Sequence, residues 1–152
     1  MKFEIKNWIT GKVMFTLEGA DWKVAFVAAV KAGQNFEMAD LSEKDFSGIE
    51  IKDGRFDNSS FYNSRFDNSR FDKKKITGRR PFFFISPLGS DARMLMAVST
   101  EKGIYIRTGC FSGSLDDFTA AVKKKHAANE HGREYVAAIT LIELHFKLWA
   151  NV

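Results

Sequence analysis

Large apolar side chains recur at every fifth position through the middle of the chain: Phe36, Leu41, Phe46, Ile51, Phe56, Phe61, Phe66, Phe71 and Ile76. This spacing matches neither the repeat of a helix, about 3.6 residues, nor the two-residue alternation of a strand, so the nine side chains cannot share one face of either. The backbone has to turn once per unit. A small residue often stands two places before the apolar centre, as at Ala39, Gly54, Ser59, Ser64 and Ser69. Asn58, Asn63 and Asn68 recur two places after it, whereas Lys44, Ile49 and Lys74 break the small-residue rule.

Those residues resemble the pentapeptide-repeat family. The resemblance implies a right-handed quadrilateral β-helix in which each unit is one side of a square coil, with the central Phe or Leu inward and residues 34–78 making about two turns. Four units per turn would stack residues twenty apart. That register sets Asp45 over Arg65, Glu50 over Arg70 and Lys52 over Asp72, with Arg55 over Lys75 as a like-charge stacking. Exposed pairs of this kind contribute only about 0 to 1 kcal/mol each, so stability is assigned to the apolar centres.

So short a solenoid needs both ends covered, and the flanks are expected to be caps. The expected fold class is therefore mixed α+β, divided into residues 1–33, 34–78 and 79–152. In the first part, strands at Phe3–Ile5 and Val13–Leu17 precede a helix from Asp21 to Ala32, with Gly33 ending it. In the last, strands at Phe82–Ser86, Arg93–Ser99 and Gly103–Thr108 form an antiparallel sheet, the last two joined by a hairpin at residues 100–102. Ser114-Leu115-Asp116-Asp117 starts a helix to Lys125, and Asn129 starts another running to Trp149. The final helix has one apolar stripe through Tyr135, Ala138, Ile139, Ile142, Phe146 and Trp149. A second runs through Ala137, Leu141, Leu144 and Leu148. Two readings of the second stripe stand open: burial inside the chain, or an oligomer face at Leu141, Leu144 and Leu148 that would make a homodimer.

Charge narrows the function. The 23 Lys and Arg exceed the 19 Asp and Glu by four, and residues 70–80, RFDKKKITGRR, account for that surplus with six bases and one acid. Clustered cations release counterions when they meet phosphates, so Lys73, Lys74, Lys75, Arg79 and Arg80, with Arg55, Arg65 and Arg70, are the candidate partner-binding surface. The alternative is a solvated stretch partly neutralised by Asp57, Asp67 and Asp72. Tyr62 beside the Asn column could add stacking to a nucleic-acid contact. The longest apolar run is the seven residues Val24–Val30, far short of the about 20 that span a bilayer, and the first twelve residues carry no signal-peptide core. A cytoplasmic protein with no membrane contact is expected, and the one cysteine, Cys110, fits a reducing compartment.

Chemistry is poorly represented. No phosphate-cradling Walker loop, GxGxxG, HExxH or GxSxG motif is present, so no enzyme is expected. Cys110 with His126 and His131 could only suggest a thiol site or an incomplete zinc site, against a cysteine that simply packs. No cofactor or metal is expected. The segments WITGKVMFTLE, ISPLG, KGIYIRTGCFSGSLDDF and NEHGREYVAAITLIELHF resemble small pentapeptide-repeat proteins of bacteriophages. That resemblance implies a non-catalytic inhibitor of a host protein or nucleoprotein complex, of the anti-CRISPR kind, working in the host cytoplasm. A topoisomerase modulator that mimics DNA is the alternative. It ranks lower because a mimic needs an acidic rod and this chain has a basic end. A small enzyme using Cys110 or His131 ranks last.

Overall fold

Alternation in KFEIK and VMFTLE pairs β1 (Lys2–Lys6) with β2 (Val13–Glu18) in an antiparallel hairpin that buries Ile5 and Leu17. Helix α1 (Trp22–Lys31) follows, its N-terminus capped by Asp21, whose carboxylate accepts from the Val24 N–H at 2.9 Å. The computed structural model describes residues 1–51, 55–89, 93–109 and 111–150, which fall into two units, Met1–Ile76 and Thr77–Val152. The small-residue position Gly54 and the Lys52–Asp72 stacking lie outside the described residues.

In the first unit the fivefold period turns its apolar centres inward. Phe36, Leu41, Phe46, Ile51 and Phe56 are fully buried, Phe66, Phe71 and Ile76 nearly so, and Phe61 is half-buried. Phe26 from α1 lies among them, 5.2, 4.9 and 5.8 Å from the rings of Phe36, Phe46 and Phe56. Backbone bonds join turns about twenty residues apart. The N–H groups of Phe36, Leu41, Phe46 and Ile51 donate to the carbonyls of Arg55, Ser60, Arg65 and Arg70 at 2.7 to 2.8 Å.

The expected β-helix is overturned. The strands of the described residues form three antiparallel sheets, two of two strands and one of four, and residues 34–69 contribute none. Their pairings are isolated parallel bridges, Asn35 to Arg55, Asp40 to Ser60, Asp45 to Arg65 and Glu50 to Arg70. The reason is local. Met38, Glu43, Gly48, Asn58, Asn63 and Asn68, each two places after an apolar centre, all have positive φ. Each of these left-handed residues turns the chain soon after its bridge, so the pairing keeps its register but stays as isolated bridges and no parallel ladder grows. Asn tolerates that conformation best after Gly, which accounts for the Asn column. The fold is mixed α+β built on antiparallel sheets.

The unit ends in a hairpin not expected from the sequence, β3 (Arg70–Phe71) against β4 (Lys74–Lys75). In the second unit β5 (Phe82–Leu88), β6 (Arg93–Thr100), β7 (Gly103–Thr108) and β8 (Phe111–Ser114) form a four-stranded antiparallel sheet in that order. Central β6 is buried on both faces: Leu95, Met96, Ala97 and Val98 are all at most 1% exposed. Helices α2 (Leu115–His126) and α3 (Glu130–Leu148) cover one face, packing Leu115, Phe118, Val122, Ile139, Ile142 and Phe146 against Leu95, Ala97 and Ile106. Ser114 caps α2 by accepting from the Asp117 N–H at 3.0 Å, and Asn129 caps α3 by accepting from the Gly132 N–H at 2.9 Å.

Candidate functional site

The basic stretch is shaped by the turn between β3 and β4. Asp72 and Lys73 have φ of 48° and 65°, the mirror-image turn whose twist suits a two-residue hairpin, although neither is the glycine such a turn favours. Two bonds hold it: the Lys73 N–H donates to Glu50 Oε1 at 3.0 Å, and the Arg70 guanidinium donates to the Lys73 carbonyl at 3.2 Å. Pairing then sets Arg70 directly across from Lys75, and Phe71, which is buried, across from Lys74. Like charges facing across a strand pair are unfavourable for the fold, by a few tenths to about 1 kcal/mol.

The eight predicted basic residues are therefore divided. The hairpin brings together Arg70, Lys73, Lys74 and Lys75. Arg70, Lys73 and Lys75 are exposed, and Lys74 forms a 3.6 Å ion pair with Asp72. Arg55 and Arg65 stand ten residues apart in the same unit, bridged to Asn35 and Asp45, both are exposed, and Arg65 pairs with Asp67 at 3.2 Å. Arg79 and Arg80 belong to the second unit. The expected twenty-residue register holds in the backbone, where Asp45 is bridged to Arg65 and Glu50 to Arg70, but among the described residues neither carboxylate forms an ion pair with the arginine of its bridge. Asp45 is bridged to Arg65 through the backbone, yet its carboxylate turns to Lys23 of α1 at 3.3 Å. The Ser47 side chain and N–H, with Lys23, hold the Asp45 carboxyl down to about 2.

Sequence reasoning missed the ring beneath the second arginine group. Trp149, expected in the buried stripe of α3, is half-buried, and the guanidinium carbons of Arg80 and Arg79 lie 3.4 and 5.4 Å from its ring centroid. The only signal available was an aromatic residue at a helix C-terminus in a chain with a Gly-Arg-Arg segment. Nearby, the His145 ring lies 4.3 Å from that of Phe83, tilted by 44°, and its Nε2 lies 3.2 Å from the Arg80 carbonyl. Burial pushes its pKa below the ordinary histidine value.

The second α3 stripe faces outward. Leu141, Leu144 and Leu148 are 48, 50 and 59% exposed, which decides against their burial within the chain. Tyr62 is exposed as well. Cys110 lies outside the described residues. His126 and His131 lie 5.5 Å apart at the junction of α2 and α3, where His126 stacks on Tyr135. Among the described residues no three His, Cys, Asp or Glu side chains gather as a metal site, and no helix is long and apolar enough to cross a membrane.

Comparison with protein-family models, with curated proteins and with solved structures finds no match to this chain.

Proposed function

We propose that the protein is a non-catalytic binding protein that engages a nucleic-acid-handling complex through its basic surface, and so modulates or inhibits that complex. One observation carries this reading: the β3–β4 hairpin holds Arg70 opposite Lys75 with Lys73 at its tip, all three exposed. Exposed cations gathered on one short hairpin release counterions when they meet a polyanion, which favours binding to phosphates. An inhibitor acting in the manner of phage anti-CRISPR proteins is the form of partner binding that the sequence resemblance favours. The test is reversal of charge. Lys73→Glu with Lys75→Glu should weaken binding to a short duplex DNA and flatten its salt dependence, with thermal stability kept. Binding that is unchanged, or absent already in the wild-type protein, would overturn the proposal.

A further inference from the structure

Outside the hairpin, two arginines are held against one indole at the start of the second unit. The chain there is tied down at both ends. Thr77 donates its N–H to the Ser99 carbonyl at 3.0 Å, and Ser99 returns its own N–H to the Pro81 carbonyl at 2.9 Å. Between them the Arg79 N–H donates to the Trp149 carbonyl at 3.0 Å. Gly78 makes that approach feasible: its φ is +89°, and a Cβ there would lie 3.3 Å from the Trp149 carbonyl oxygen. Arg79 and Arg80 are thereby delivered to the Trp149 ring with little backbone freedom left.

The electrostatics of the pair differ from those of the other arginines. Arg65 has Asp67, and Arg70 donates to the Lys73 carbonyl. Among the described residues no carboxylate forms an ion pair with Arg79 or Arg80, and both are exposed. A guanidinium lying on an aromatic face at 3.4 Å spends its π surface on the ring and keeps its N–H edge for an acceptor, a fork that matches two phosphate oxygens. Two cations on one ring also repel each other, and an anion received by both removes that repulsion.

We infer that Arg79 and Arg80, positioned by Trp149, form a binding site for the phosphodiester groups of a nucleic-acid backbone. This rests on the reading that the protein binds a polyanion, and adds to it a second contact with its own supporting ring. Binding of a fluorescent short duplex DNA is measured across a salt series for wild type, Arg79→Gln with Arg80→Gln, Trp149→Phe, Trp149→Ala, and the Lys73→Glu/Lys75→Glu variant. Losing both arginines should lower the salt slope by about 2, about 1 for each phosphate contact removed. Trp149→Ala should weaken binding and Trp149→Phe restore most of it, because a phenyl ring still carries the stack. In nitrogen-detected NMR, the Nε–Hε signals of Arg79 and Arg80 should shift on adding DNA, which reads the site even if a substitution at Trp149 loosens the fold. An unchanged slope in the arginine variant, beside a loss in the lysine variant, would sink this site and leave the hairpin reading standing. Absence of DNA binding in the wild type would sink both. A loss seen with poly-glutamate but not with DNA would overturn the phosphodiester assignment in favour of an acidic protein.

Discussion

The rings of Phe46 and Phe66 lie 5.3 Å apart and within 8° of parallel, although twenty residues separate them in the chain. Phe36 and Phe56 repeat the relationship at 5.6 Å and 25°, and Phe26 closes on three of these four rings. The apolar interior of the first unit is thus a stack of phenyl rings contributed by successive turns and plugged by one helix.

Phe46→Ala should therefore remove about 3 to 5 kcal/mol of unfolding free energy, since a fully buried phenylalanine leaves a cavity that neighbouring rings cannot fill. Phe61→Ala, at a half-buried position, should cost clearly less. Urea titrations of the two variants check the order, and equal losses would contradict it.

Asn63 sits at φ 54° with its side chain in solvent. Asn63→Ala should destabilise by about 1 kcal/mol through the left-handed backbone alone, while Asn63→Gly should be near neutral. Thermal melts of both variants separate this backbone effect from any lost side-chain bond, which would penalise both.

Two titrations contribute to acid stability. The Asp45 carboxyl, held at about 2 instead of its ordinary 3.8, contributes stability that is complete above pH 3.8 and is lost as pH falls toward 2. His145 has its pKa lowered by burial, so the unfolded chain takes up its proton first. Its contribution to stability is full above pH 6.5 and declines as pH falls below that value. Unfolding free energy measured against pH should show both declines, the upper one vanishing in His145→Gln and the lower one in Asp45→Asn.

Helix α3 allows a contrast within one element. Ile142 is fully buried against the sheet and Leu144, two residues on, is half exposed. Ile142→Ala should cost about 2 to 5 kcal/mol, whereas Leu144→Gln should stay within about 0.5 kcal/mol in the monomer. A large loss for Leu144→Gln that depends on protein concentration would reveal a self-association that this face supports.

What could be read in advance was what local chemistry decides. Asp21, Ser114 and Asn129 start their helices because each side chain accepts from an N–H within the first turn, a relation complete within four residues. The fivefold period correctly marked where the chain turns and which side chains go inward. It could not say whether neighbouring residues stay paired between turns, and the positive φ at each turn prevents the parallel sheet that a β-helix would need. Hairpin β3–β4 was hidden because its turn is Asp72–Lys73 without glycine, and β8 because FSGS has the composition of a loop. Side-chain partners were least legible. Asp45 has Arg65 as backbone neighbour, but a long exposed side chain is free to choose, and Lys23 from α1 reaches it instead. Trp149 fits a helical stripe by spacing, yet the helix stops at Leu148, and the ring beyond the last turn leaves the stripe.

The left-handed residues two places after the apolar centres, among the described residues, also set how this segment can change length. One inserted residue between Phe56 and Phe61 would rotate every later ring outward and move each such conformation onto a side chain that resists it. Removing or adding a whole five-residue block would keep the rings inward but pair each with the wrong neighbour below. Only blocks of twenty preserve both, so natural variation here should come as point substitutions or complete layers, and single-residue gaps should be confined to other parts of the chain.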